Sequence, residues 1–251
     1  MTSQKGTPTP LESDSAGERG RAVREMFSAI APRYDLLNHL LSLNIDRSWR
    51  RRAVNRLGWE SRPDGLYLDI CAGTFDLALE LARRPNFNGH IVAVDFSKPM
   101  LQHGAQKIDR QPIAAACGDA LNTPLASNAF DGAMVAFGVR NLADISSGLR
   151  ELKRVLLPGA RLVILDFAMP RGRIFSSLYR FYFTRLLPLV GRLISKHSFA
   201  YNYLPESVKE FAGPEELEGL LREAGYVGVG CVPLTGGTVC VWWGAVVAES
   251  K

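Results

Sequence analysis

One stretch decides the fold class of this 251-residue chain: residues 65–82, which read GLYLDICAGTFDLALELA. A short apolar run ends at Asp69, small residues follow from Cys71 to Thr74, and leucine and alanine then recur at helical spacing. This pattern predicts a strand, a tight turn and a helix. In an open parallel sheet such a unit places a ligand at the carboxyl end of its strand, because small residues allow close approach and the helix start offers free N–H groups.

The same alternation of apolar run, polar turn and helical spacing recurs along the chain. Further strands are predicted at residues 90–95, 112–117, 129–137, 161–167, 227–232 and 238–247, and helices at residues 145–157 and 214–224. The last two strands flank a glycine-containing turn and are typical of a hairpin. We therefore expect a Rossmann-like α/β fold: a seven-stranded, mostly parallel sheet with an antiparallel last strand and helices on both faces.

Composition favours one domain. Hydrophobic residues make up 47% of the chain, which is enough for a substantial core. Residues 1–17 are polar, and we expect a disordered leader there, followed by a single domain at 18–251 with helical cap elements at 19–58 and 171–200. Four scattered cysteines predict neither disulfides nor a metal site, and they favour a cytoplasmic protein. No apolar run is long enough to cross a membrane.

The net charge of +5 favours an acidic partner. Two stretches are basic: residues 47–56 carry five arginines, and residues 171–197 interleave arginine and lysine with aromatic and leucine side chains. The first indicates a solvated face, or a contact with anionic lipid or another anionic partner. The second indicates packing over the sheet edge, a homodimer contact, or transient attachment to a membrane surface. Nucleic acid is disfavoured as a partner, because the sequence shows no aromatic stacking platform or RNA-binding module.

Acidic residues end two of the predicted strands. Asp95 lies about 20 residues beyond the glycine turn, where a carboxylate in a nucleotide-binding unit accepts hydrogen bonds from a ribose diol; it also fits as a helix cap. A dinucleotide dehydrogenase needs three glycines in the turn, and this turn has Gly73 alone. Binding of S-adenosylmethionine requires fewer glycines in the turn than binding of a dinucleotide. Gly73 with Thr74, Asp95, and Asp119 with Ala120 supply a small-residue loop, a ribose acid and a polar turn for adenine.

The chain resembles the menaquinone and ubiquinone biosynthesis C-methyltransferases, which are Rossmann-like methyltransferases that use S-adenosylmethionine. The resemblance runs from about residue 23 to residue 244 and rests on short motifs. They are MFSAIAPRYD at 26–35, Asn38, Ser42, Trp49, Asp69, GT at 73–74, Asp76, DFS at 95–97, ML at 100–101, FD at 130–131, FGVRN at 137–141, RVL at 154–156, PG at 158–159, YL at 203–204, Ser207, LT at 234–235 and Gly237. The FGVRN block, the YD pair and the YLxxS segment are the most specific.

The resemblance implies methyl transfer from S-adenosylmethionine to a ring carbon of a polyprenylated quinol, most simply demethylmenaquinol to menaquinol. The cofactor contacts it implies are Asp69, Gly73, Thr74, Asp95, Asp119 and Ala120. Two residues depart from the family pattern. Phe75 replaces the second glycine of a Gly-Thr-Gly-Asp turn, and if that position needs a positive φ, phenylalanine costs about 1 kcal/mol or more; a rearranged loop or weaker cofactor binding is then expected. Ala136 stands where some members have a serine, which removes one polar contact.

Four residues are candidates for contact with the quinol. We expect Arg140, at a strand end facing the cleft, to stabilise the developing phenolate or to polarise a water that takes the proton; an ion pair with a structural acid is the alternative. We expect Asn141 to bind the same phenolate oxygen or the cofactor. Tyr34 and Tyr203 flank the aromatic substrate, or else pack in the core or a lid.

Two other functions stay open from the sequence. The basic charge and the altered turn are compatible with a methyltransferase that acts on RNA or on another small molecule. Phe75 is also compatible with a noncatalytic relative that binds a quinone or a protein partner.

Overall fold

The computed structural model describes residues 16–35, 42, 44–170 and 199–248. The strands found there are β1 (Leu66–Ile70), β2 (His90–Asp95), β3 (Ile113–Cys117), β4 (Phe130–Ala136), β5 (Leu156–Phe167), β6 (Tyr226–Leu234) and β7 (Val239–Val246). The α-helices are α1 (Ala16–Ile30), α2 (Asp46–Leu57), α3 (Asp76–Ala82), α4 (Lys98–Gly104), α5 (Ile145–Val155), α6 (Phe199–Glu210) and α7 (Pro214–Glu223).

The described strands form one sheet in the order β3-β2-β1-β4-β5-β7-β6. Strands β1 to β5 pair in parallel, and β7 runs antiparallel to both of its neighbours. This confirms the predicted seven-stranded, mostly parallel sheet with an antiparallel last strand. The strand order reverses at β1, which has β2 on one side and β4 on the other, so a crevice opens at the carboxyl ends of β1 and β4.

Apolar side chains alternate across the sheet and bury both of its faces. On one face, Tyr67 of β1 belongs to a cluster with Leu57 of α2 and Leu79 of α3. On the other face, Leu68 belongs to a cluster with Leu149 of α5. This alternation follows from the two-residue period of a strand, and because helices cover both faces at the centre of the sheet, β1 and β4 are largely apolar, whereas the edge strand β3 is partly exposed.

Several boundaries differ from the expectations, and the largest difference is that β5 begins at Leu156 rather than at residue 161. Helix α5 ends at Val155 rather than at residue 157, because Leu156 already pairs with Phe130 of β4. Helix α1 begins at Ala16, inside the expected leader. Helix α6 begins at Phe199, at the end of the expected cap element 171–200; residues 171–198 of that element, and residues 1–15 of the leader, lie outside the described residues. None of the helices described is both long enough and apolar enough to span a membrane.

Candidate functional site

Three residues of the turn after β1 have a positive φ: Cys71 at 56°, Gly73 at 54° and Phe75 at 71°. Phe75 is the N-cap residue of α3, so the position where the resemblance expects glycine does require a left-handed backbone, and a phenylalanine adopts it. This conformation costs about 1–2 kcal/mol for a residue with a Cβ. The Phe75 ring is fully buried in the core, and its Cδ2 lies 2.7 Å from where a Cβ on Gly104 would stand. Gly104 therefore makes room for the ring.

Asp95, the last residue of β2, links this turn to the start of α4. Its Oδ2 accepts a hydrogen bond from the Gly73 N–H (2.9 Å), and its Oδ1 accepts one from the Ser97 N–H (2.8 Å). Burial raises the pKa of Asp95 above its usual value, although the two N–H donors and nearby Arg24 oppose the shift. Each carboxylate oxygen keeps a lone pair for a ligand hydroxyl. The N-cap position of α4 belongs to Ser97 rather than to Asp95.

A cavity of about 330 Å³ lies at the carboxyl ends of β1 to β4. Six of the predicted site residues line it: Tyr34, Gly73, Asp95, Asp119, Ala120 and Asn141. The Oδ1 atom of Asp119 accepts a hydrogen bond from the Leu121 N–H (2.9 Å), which orders the polar turn after β3. This main cavity therefore brings together the turn, both acidic strand ends and the FGVRN block.

Helix α1 forms one wall of the main cavity, which sequence reasoning missed. The helix contributes Gly17, Gly20, Arg21, Arg24 and Phe27. Arg24 Nε donates a hydrogen bond to the Phe96 carbonyl (2.8 Å), and its guanidinium carbon lies 5.7 Å from the centroid of the Phe96 ring. The signal in the sequence is the spacing of these residues by three and four positions, which places them on one face of a helix.

Asp69 and Thr74 line a second, smaller cavity of about 20 Å³, which shares the wall residues Gly73 and Phe137 with the main one. Asp69 Oδ2 accepts a hydrogen bond from the Ala78 N–H (3.0 Å), whereas the buried Oδ1 has no hydrogen-bond partner among the described residues. Burial raises the pKa of Asp69 to about 8, against the Ala78 N–H, which lowers it. A buried carboxylate oxygen without a protein partner normally accepts a hydrogen bond from a water molecule or a ligand.

A charged network ties the Thr74 turn to the segment after α1. The Thr74 hydroxyl donates a hydrogen bond to Asp35, and Lys107 Nζ lies 2.5 Å from the same carboxylate. Lys107 also pairs with Asp76 (2.9 Å), whose carboxylate lies 3.3 Å from Arg50. Since these groups come from four separate segments, the network holds the YD motif against the glycine turn.

Arg140 lies behind the wall of the main cavity, in a buried ion pair. Its Nη1 donates to Asp166 Oδ1 and to the Phe137 carbonyl, both at 2.7 Å, and its backbone N–H donates to Asp166 Oδ2 (3.2 Å). Burial lowers the pKa of Arg140, but Asp166 outweighs this effect and raises it. The expected position facing the cleft is therefore corrected, because Phe137 occupies that wall and β5 places Asp166 beside the guanidinium. Arg140 Nε is buried without a hydrogen-bond partner in the described structure.

Asn141 lines the main cavity with its amide held from two sides. Its Nδ2 donates to the Phe137 carbonyl (3.0 Å), and its Oδ1 accepts a hydrogen bond from the Tyr203 hydroxyl (2.9 Å). Tyr34 lines the cavity, and its ring meets that of Phe27 edge to face at 6.0 Å. Tyr203 is buried and is not part of the cavity wall, so it contacts Asn141 from behind.

The chain is similar to known methyltransferases. A family model described as the ubiE/COQ5 methyltransferase family matches residues 14–246. A ubiquinone/menaquinone biosynthesis C-methyltransferase UbiE from Geotalea uraniireducens is 43% identical over 231 residues, which cover 90% of this chain and 97% of the relative. A demethylmenaquinone methyltransferase from Deinococcus radiodurans is 43% identical over 229 residues, covering 90% and 92%. A solved S-adenosylmethionine-dependent methyltransferase from Aquifex aeolicus superposes with a TM-score of 0.58 at 19% identity, covering 79% of this chain and 89% of that one, which shows a shared fold.

Proposed function

Because this chain belongs to the ubiE/COQ5 methyltransferase family, we propose that it transfers a methyl group from S-adenosylmethionine to a ring carbon of a polyprenylated quinol, converting demethylmenaquinol to menaquinol. The names of its relatives support this reaction. The observation that carries the proposal is the main cavity, in which the Asp95 carboxylate shares one space with the aromatic rings of Tyr34 and Phe137 and the amide of Asn141. A single cavity lined by these groups suits the transfer of a methyl group from a nucleoside cofactor to an aromatic acceptor.

The residues present fit S-adenosylmethionine. Asp95 is fixed by two backbone donors and keeps lone pairs for the ribose hydroxyls. Gly73 has a positive φ, and a Cβ there would stand 3.4 Å from Met100, so glycine keeps the backbone accessible. The unpartnered Oδ1 of Asp69 suits the cationic end of the cofactor, and Asp119 borders the space for adenine. When bound, the cofactor supplies an electrophilic methyl group on a sulfonium.

Asn141 acts on the quinol oxygen in this proposal, and Arg140 supports it from behind the cavity wall. A quinol carbon becomes nucleophilic when the neighbouring hydroxyl loses its proton, since the phenolate pushes electron density onto that carbon. Asn141 uses one N–H on the Phe137 carbonyl and keeps a second for the phenolic oxygen. Arg140 acts indirectly: its Nη1 donates to the same Phe137 carbonyl as Asn141 Nδ2, which helps to fix the Asn141 amide.

We further propose that the protein acts in the cytoplasm and touches the membrane surface transiently, because a polyprenyl tail is insoluble in water. In this proposal the contact is made by the basic and aromatic residues 171–197, on the support of their composition; they lie outside the described residues.

A mass-resolved assay tests the function. Purified protein and labelled S-adenosylmethionine are offered demethylmenaquinol, a demethoxyquinol and simple phenols, and we expect a C-methylated product from demethylmenaquinol. Asp95→Ala should weaken cofactor binding about 10- to 100-fold in calorimetry, since it removes charge-assisted hydrogen bonds. Asp109→Ala, at a side chain 79% exposed, is the control and should leave binding unchanged.

Two results would contradict the proposal in different ways. Cofactor binding without methylation of any quinol rejects the substrate class. Absence of cofactor binding by the folded protein rejects the enzyme and favours a noncatalytic relative.

A further inference from the structure

Helix α2 presents an exposed face that carries positive charge alone. Its buried face consists of Asp46, Trp49, Arg50, Ala53, Val54 and Leu57. The opposite face carries the exposed side chains of Arg47, Arg51, Arg52 and Arg56. The one carboxylate of the helix, on Asp46, is buried and paired with Arg50. We call the four exposed arginines the α2 basic face.

The α2 basic face differs from the exposed faces of other helices in the same chain. Helix α5 pairs Arg154 with Glu151 (2.7 Å), and helix α7 pairs Arg222 with Glu218 (2.6 Å). Within the described residues, Arg47, Arg51 and Arg52 have no carboxylate within ion-pair distance, and Arg56 stacks on the Trp243 ring at 4.4 Å instead. Among the described residues, therefore, no carboxylate neutralises the α2 basic face.

These arginines repel one another electrostatically, and an anionic surface would relieve that repulsion. Arg47 and Arg51 are four positions apart, as are Arg52 and Arg56, and like charges at this spacing repel along a helix. The helix has 12 residues, so the basic face extends over about 18 Å of surface. A spread of charge over this length suits a flat array of negative groups better than a single anion.

The N-terminal end of α2 lies at the same edge of the sheet as the main cavity. Trp49 packs edge to face against Phe137 (6.3 Å) and Phe167 (6.4 Å), which follow β4 and end β5. Phe137 is itself a wall of the main cavity. Two large apolar side chains are exposed at this end, Ile45 just before α2 at 41% and Met169 just after β5 at 40%. Positive charge and exposed aliphatic groups thus adjoin the cavity.

We propose that the α2 basic face docks on an anionic lipid bilayer, with Ile45 and Met169 entering the headgroup region beside it. Each arginine near an anionic membrane surface strengthens binding about fivefold, and aliphatic side chains add apolar contact. A bilayer is preferred to nucleic acid as the partner because the large exposed side chains at this end, Ile45 and Met169, have no ring for bases to stack on, and the Trp243 ring is already stacked by Arg56. The docking rests on the proposed function for its purpose, which is to bring the cavity to a substrate that resides in the membrane.

Vesicle sedimentation tests the docking without substrate. The full chain is mixed with phosphatidylcholine vesicles that contain or lack phosphatidylglycerol, at low and high salt. We expect binding to the anionic vesicles, loss of binding at high salt, and a decrease on the order of 100-fold for the triple variant Arg47→Gln, Arg51→Gln, Arg52→Gln. The control replaces Arg110, Arg150 and Arg222 by glutamine, which removes the same net charge elsewhere and should retain most of the binding.

The outcomes separate the alternatives. An equal loss in both triple variants, or equal binding of the wild type to neutral and anionic vesicles, overturns the proposal. Tighter binding to single-stranded RNA than to anionic vesicles also overturns it. Methylation of a short-tailed, water-soluble demethylmenaquinol is measured separately and should be the same in the wild type and both variants. If the wild type fails to methylate that analogue while vesicle binding behaves as expected, the proposed function fails and the docking stands.

Discussion

Replacing Phe75 with glycine has two opposing effects on the free energy of unfolding: it relieves backbone strain, and it removes core packing. Glycine removes the penalty of the left-handed conformation at φ 71°, about 1–2 kcal/mol. It also deletes a ring that is fully buried, and Phe-to-small changes in a core cost about 3–5 kcal/mol. We therefore expect a net loss of about 2–3 kcal/mol in the free energy of unfolding. For a chain of this size that corresponds to a decrease in Tm of roughly 5–10 °C.

Urea unfolding of the cofactor-free protein, followed by circular dichroism, measures this difference. Phe75→Ala is the matched control, because it deletes the ring but keeps a Cβ at the same positive φ; it should be less stable than Phe75→Gly. Gly104→Ala tests the packing, since its Cβ would stand 2.7 Å from the Phe75 ring in the wild type. Without the ring that clash is absent and only the close contact with the Thr74 Cα (2.9 Å) remains, so a double-mutant cycle should show a coupling of about 1 kcal/mol or more.

Two results would refute this reasoning. Phe75→Gly as stable as the wild type would mean that the ring contributes little, and an equal cost of Gly104→Ala in both backgrounds would mean that the two residues do not interact. Because Phe75 does not line either cavity, S-adenosylmethionine binding should be preserved or tighter in Phe75→Gly under conditions where the variant is folded. A clear loss of affinity for S-adenosylmethionine would show that the Phe75 side chain contributes to cofactor binding.

Two further predictions concern buried charge. The pKa of Asp69 is raised from 3.8 to about 8, so between these values the folded protein holds a proton that the unfolded chain has released. The free energy of unfolding of the cofactor-free protein should therefore fall as pH rises through this window. Urea unfolding at the two ends of the window measures the fall, which should be smaller in Asp69→Asn than in the wild type. An equal fall in both proteins would contradict the assignment. Arg140→Met should cost about 3–5 kcal/mol by leaving Asp166 buried and unpaired, while Arg140→Met with Asp166→Leu recovers much of the loss. A cost below about 1 kcal/mol for the single variant would argue against the ion pair.

Features set by neighbouring residues were predictable from the sequence. The strand and helix alternation, the final hairpin and the antiparallel last strand follow from local periodicity and turn residues, and the structure confirms them. The positive φ at Phe75 was expected only as a condition attached to the family resemblance, because the sequence itself has phenylalanine rather than glycine there; the structure meets that condition. The end of α5 was wrong by two residues, since Leu156 gains a strand partner in Phe130 that no local pattern indicates.

Features set by tertiary register were not predictable. Arg140 meets Asp166 because β4 and β5 pair with Ala136 beside Leu165, which brings the following residues of both strands together. The space for the Phe75 ring depends on Gly104, which lies on a different helix. The α1 wall depends on how that helix docks over the crevice, and an amphipathic pattern does not specify the surface on which a helix docks.

The way α1 is anchored also bears on when the cavity forms. Val23 and Met26 of α1 pack with Tyr203 of α6, so two segments that are far apart in the sequence meet beside the cavity. Contacts of such large sequence separation close a long loop and form late in folding. A nascent chain that has not yet reached α6 lacks this anchor, even though the glycine turn and both acidic strand ends are already synthesised. Cofactor binding is therefore expected to report the completed domain, and ligand occupancy to add to the cooperativity of its unfolding.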